Sequence, residues 1–64
     1  MKLDDLLKKI CYGSEIVIID EDYNSIFNGV YSKKIYDKFT YTMKQKEVID
    51  IFCSNIGRML IKVT

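Results

Sequence analysis

The chain contains no histidine and no proline, only three glycines, and two cysteines set 42 positions apart in 64 residues. Without histidine, proton transfer near neutral pH would fall to carboxylates, Lys, Tyr or Cys. Zinc would have only two distant thiols, too few for a tetrahedral site. The glycines Gly13, Gly29 and Gly57 are scattered, so there is no phosphate-cradling loop. The longest apolar runs are Ile16-Val17-Ile18-Ile19 and Met59-Leu60-Ile61, whereas a membrane-spanning helix needs about 20 apolar residues. The acidic pair Asp4-Asp5 does not fit the basic start of a signal peptide. These features lead us to expect a soluble, cytoplasmic protein with no membrane partner and no cofactor. In a reducing compartment Cys11 and Cys53 are expected to be two packed thiols.

What is present is apolar for so short a chain, at 48%. A single domain over 1–64 buries only about 60% of its unfolded surface. Such a core rarely supplies more than roughly 3–5 kcal/mol without a disulfide, a metal or a second subunit. Edge strands without proline also lack one guard against pairing with another chain. Both features predict a homo-oligomer.

Leu3, Leu6, Leu7 and Ile10 recur at helical spacing, with acids early and Lys8-Lys9 late, so a helix is expected over 3–11. Gly13 stands where a left-handed residue would close it. Strands are expected over 15–20 and 25–31, joined by the acidic turn Asp20 to Asn24, and over 47–53 and 58–63, joined by a turn at Ser54-Asn55-Ile56-Gly57. In the second strand, Phe27, Gly29 and Tyr31 oppose Ile26, Asn28 and Val30; in the last, Met59, Ile61 and Val63 face inward. In the third, Ile49, Ile51 and Cys53 share one side and Val48, Asp50 and Phe52 the other. Residues 32–46 read as a short helix or turn near 33–38, with Ser32 as its cap, then a short strand at 39–43. The fold class is α+β: an N-terminal helix followed by two antiparallel hairpins, forming a small curled sheet or an SH3/Sm-like barrel.

Function is expected to be binding, not catalysis. Residues 1–24 carry a net charge of −3 and residues 31–46 a net charge of +4. The basic stretch interleaves Tyr31, Lys33, Lys34, Tyr36, Lys38, Phe39 and Tyr41. Rings that stack and ammonium groups that follow phosphate are the elements of nucleotide or single-stranded nucleic-acid binding. Tyrosines on small sheets also serve as plain packing or as subunit contacts. Tyr31, Lys33, Lys34, Tyr36 and the lone Arg58 form the candidate ligand set. The cluster Asp20-Glu21-Asp22 lacks the spacing of a calcium loop and reads as turn chemistry.

The segments Leu3 to Ile10, Val17 to Asp22, Ile26 to Gly29, Lys46 to Ile51 and Met59 to Val63 resemble those of short uncharacterised accessory proteins encoded by phages and prophages of low-GC Gram-positive bacteria. Residues 32–45 depart from that pattern. The resemblance implies a stoichiometric protein that counters host defence. It would occlude a host protein, as anti-CRISPR proteins do, or sequester a nucleotide-like signal, as sponge proteins do. A single-stranded nucleic-acid-binding barrel module is the alternative.

Overall fold

A computed structural model describes residues 1–54 and 56–64, so the central Asn55 of the expected Ser54–Gly57 turn lies outside the described residues. In chain order the described residues form α1 (Leu3–Leu7), β1 (Glu15–Ile19), β2 (Ser25–Val30), α2 (Lys33–Lys38), α3 (Tyr41–Lys44), β3 (Val48–Cys53) and β4 (Met59–Val63). The strands make one sheet in the order β2-β1-β4-β3. The two expected antiparallel pairs form, β1 with β2 and β3 with β4, but a parallel β1–β4 ladder joins them. The sheet is open, with β2 and β3 at its edges, so the barrel alternative does not form.

The continuous apolar run of β1 forms a central strand between β2 and β4, with Ile16 and Ile18 on the helix-covered face and Ile19 also buried, at 6% exposure. Ile16 and Ile18 point into the main core with Ile61, Val63, Leu3, Leu6, Leu7 and Tyr31. Ile35, Tyr36, Phe39 and Met43 from the second half of the chain pack against the same cluster. All three described helices therefore serve one face of the sheet. Gly29 makes room on that face, because a Cβ there would come within 3.3 Å of the Phe27 ring. The ring in turn meets Phe39 edge-on, with centroids 5.5 Å apart.

Helix α1 is five residues long and has no side-chain N-cap, so tertiary contacts must hold it. Its leucines are buried and its entry is stitched to the start of β3. Leu3 N donates to Lys46 O, and Val48 N donates to Met1 O, each at 2.8 Å. The expected helix over 3–11 stops at Leu7 because Lys9 N and Ile10 N bond to carbonyls three residues back, which tightens the turn. Gly13, at φ 96°, therefore does not cap the helix. It turns the chain into β1, and its N–H donates to Tyr31 O.

Residues 32–46 are helical in two pieces. Ser32 Oγ accepts from Ile35 N and caps α2 as expected. The expected strand at 39–43 is instead α3, because Thr40 Oγ1 accepts from Met43 N and starts a second turn. A register shift between Val48 and Asp50 also changes the phase of β3. Val48 pairs with inward-facing Val63 and Ile51 with inward-facing Ile61, so Val48 and Ile51 share a face, contrary to simple alternation. Both cysteines are exposed, not packed. Cys11 follows the end of α1, and Cys53 closes an edge strand that lies outside the helix layer. The acidic turn is as expected: Asp20 Oδ1 accepts from Asp22 N and Asn24 N, which lowers its pKa.

Ile61 and Ile51 are ladder partners with opposite exposure, 0% against 39%. Ile61→Ala is expected to cost about 2–5 kcal/mol in urea unfolding. Ile51→Ala is expected to cost less than half as much, because its side chain already meets water. Equal costs would mean that the helix layer does not define the core.

Candidate functional site

A concavity lies where α1 ends. Leu7, the turn residues Lys8, Ile10, Cys11 and Tyr12, and Tyr31 and Tyr36 from the other side line a cleft of about 420 Å³. That volume is within the range of small-molecule sites. The cleft exists because α1 stops early and α2 begins three residues after β2, leaving a gap between the two helices above the end of the sheet.

Three phenols define it. Tyr31 is the floor: it is 1% exposed, and its hydroxyl donates to Leu7 O at 2.9 Å. Leu7 O also accepts from Ile10 N at 3.4 Å, so the phenol supplies the shorter of its two bonds at the C-terminal end of α1. Burial pushes the Tyr31 phenol pKa up. Tyr12 is the rim, 62% exposed, with its ring tilted 5.5 Å from that of Tyr31. Tyr36 closes the far side. Its hydroxyl donates to Asp4 Oδ1 at 2.6 Å, and Lys44 Nζ sits 3.9 Å from its ring centroid.

The charges around the cleft are paired. Lys8 Nζ lies 3.4 Å from Asp4 Oδ2, so one carboxylate serves both Lys8 and Tyr36. The Tyr36 hydrogen bond is the first cause that holds the Asp4 carboxyl below its usual value, and Lys8 adds to it. The same bond, helped by burial, raises the Tyr36 phenol to about 12. The Tyr31 and Tyr36 hydroxyls are thus engaged with protein acceptors. What the cleft offers a ligand is ring surface, the Lys8 ammonium and the exposed Cys11 thiol.

Of the five expected ligand residues, the structure brings two, Tyr31 and Tyr36, to this cleft. Lys33 and Lys34 are exposed on α2, and Lys33 lies 3.8 Å from Asp37. Arg58 lines a separate cleft of about 210 Å³ with Glu15, Asn28, Gly29 and Val30, and its Nε donates to Glu15 Oε2 at 2.9 Å. Sequence reasoning missed Lys8, Cys11 and Tyr12. The signal was an aromatic placed just beyond a helix end, before a glycine, in a segment read only as a helix terminus.

Among the described residues no group of three or more His, Cys, Asp or Glu side chains is placed to hold a metal. No described helix is long and apolar enough to cross a membrane. Comparison with protein-family models, curated proteins and solved structures finds no match to this chain.

The Tyr36–Asp4 bond has a pH signature. The Tyr36 phenol is raised from 10.0 to about 12 in the folded chain, so the unfolded chain loses this proton first. Its contribution is fully present below pH 10 and is lost as pH rises toward 12. In urea titrations the stability difference between wild type and Tyr36→Phe is expected to shrink across that window. A difference that stays constant there would mean the bond is absent in solution.

Proposed function

We propose that this chain is a small non-enzymatic binding protein whose tyrosine cleft captures a planar, anionic, nucleotide-like ligand. The carrying observation is the cleft itself: an exposed Tyr12 ring beside a buried Tyr31, with Lys8 at the mouth. Aromatic rings stack on bases or other flat systems, and an ammonium group accepts phosphate as a point charge. The internal hydrogen bonds argue for binding over catalysis. The Tyr31 and Tyr36 hydroxyls already have partners within the protein, so proton transfer by either would first have to break a bond that shapes the site, whereas the Lys8 ammonium, 63% exposed beside Asp4, keeps a side open to a ligand. The accessory role against host defence, in the cytoplasm of an infected cell, extends this reading through the resemblance of the sequence segments. Capture of a nucleotide-like signal is the form of that role which the cleft favours over occlusion of a host protein.

The single-strand reading has less to stand on. It drew on the same five residues, Tyr31, Lys33, Lys34, Tyr36 and Arg58, on a small barrel, but the basic segment is helical, Tyr31 is buried, Tyr36 is engaged by Asp4 and Lys44, and Arg58 lines a separate cleft. Salt separates the two readings, because single-strand affinity falls steeply as counterions are released.

Native mass spectrometry of the protein purified from an expressing cell, followed by titration with mono-, di- and cyclic nucleotides, tests the proposal. A retained or titrating nucleotide is expected. Tyr12→Ala is expected to weaken it by roughly 5- to 150-fold, the worth of one stacked ring at about 1–3 kcal/mol. No retained molecule and no binding at millimolar nucleotide would overturn it. Tight single-strand binding that collapses with salt and ignores Tyr12 would favour the rival.

A further inference from the structure

The sheet has a second face, and among the described residues no helix packs on it. Strand alternation places Phe52, Leu60 and Val17 side by side there, one from each of β3, β4 and β1, because Phe52 pairs with Leu60 and Leu60 with Val17. On β2 the same face carries Val30, opposite Glu15, and the polar Asn28, opposite Val17, while the register shift beside Ile18 and Ile19 leaves Ile26 without a ladder partner. None of the four apolar residues Phe52, Leu60, Val17 and Val30 belongs to the helix-side core. Phe52 is 47% exposed and Val30 54%. The result is an apolar strip across β3, β4 and β1, in which Val17 and Leu60 are half-buried and Phe52 is open to water, with Val30 exposed at the β2 edge beyond Asn28. Exposed contiguous apolar surface of this kind marks an interaction site.

We propose that a second copy of this chain covers the band, so that the protein is a two-fold dimer packed sheet to sheet. Charge favours self-pairing over a foreign partner. The charged residues that flank the band are Glu15 and Arg58, ion-paired at 2.9 Å, and the ladder partners Asp50 and Lys62. They contain two acids and two bases, so the face is neutral and does not repel its own copy, whereas a face built for a strongly charged partner would carry one sign. The size also suffices. A molecule of 29 × 26 × 18 Å has a broad face of about 600 Å² taken as an ellipse, so a second copy covering all of it would bury roughly 1,200 Å² in total, the lower bound of standard stable interfaces. Sheets stack about 10 Å apart with their inner side chains interdigitated, and a two-fold axis aligns both bands at once. Neither edge strand carries a proline. The tyrosine cleft lies on the helix side, so both copies keep it open.

Sedimentation equilibrium of the full chain tests the inference. Wild type is expected to be a dimer at about 100 µM, well inside the reach of a micromolar interface. Phe52→Glu is expected to weaken the dimer by about thirtyfold or more, the loss expected for a buried interface anchor. Circular dichroism should be unchanged, because Phe52 is half exposed in the monomer. Should that variant misfold, Val30→Lys on the edge strand carries the same expectation. Tyr41→Lys, 77% exposed on the helix side, should leave the dimer intact. Monomeric wild type throughout the range overturns the proposal. A dimer that survives both sheet-face charges, or that Tyr41→Lys breaks, also overturns it. Nucleotide titration of the monomeric Phe52→Glu variant keeps this inference separate from the cleft, since it should bind as wild type does.

Discussion

Tyr31 ties the layers of this small protein together. Its backbone continues the β1–β2 ladder: Tyr31 N donates to Ser14 O, and Tyr31 O accepts from Gly13 N, both at 2.8 Å. Its ring is in the core, and its hydroxyl reaches the last carbonyl of α1. A five-residue helix has too few internal hydrogen bonds to persist alone. Buried leucines supply the attraction, and the Tyr31 hydroxyl sets where the helix ends. That end point creates the cleft, since the chain must then turn through Lys8 to Tyr12 before Gly13 admits it to β1.

A two-layer architecture in so short a chain leaves one sheet face unserved. The accessible surface is 4248 Å², about what a compact monomer of 7.5 kDa should expose. The exposed Phe52, Val30 and Ile26 are thus a product of the layering and not of incomplete folding. Folding as such does not demand a neighbour, so the case for a second subunit rests on what the open face is made of. The molecule presents two surfaces of different character, a tyrosine-lined concavity on the helix side and, on the other, an apolar strip flanked by charges of both signs.

Local patterns were legible in the sequence where one segment decides its own structure. The apolar run of β1, the inward alternation of β4, the Ser32 cap and the Asp20 turn could all be read from neighbouring residues. Features set by distant segments could not. The parallel β1–β4 ladder joins strands 40 residues apart, and nothing local distinguishes it from an antiparallel neighbour. The register shift after Val48 inverts the phase of β3 without a glycine to announce it. Residues 39–43 have strand-like composition, but the Thr40 cap and the packing of Met43 on the core outweigh that propensity. Of the candidate site, Tyr31 and Tyr36 were found through composition. Tyr12 and Lys8 were not, because the cleft is assembled from three separated segments and depends on where α1 stops.

Native-state hydrogen exchange on wild type and Tyr31→Phe bears most directly on the central role of the Tyr31 hydroxyl. Removing only that oxygen leaves the ring packed and the β1–β2 ladder bonded. The amides of α1 and its last turn, Leu7 to Ile10, should lose protection by roughly fivefold, in line with the net worth of about 1 kcal/mol for one hydrogen bond, since Leu7 O keeps its bond from Ile10 N. The amides of Ile18 and Ile61 should follow only the smaller global change. Equal loss in helix and sheet, or no loss in α1, would contradict the clamp and with it the origin of the cleft.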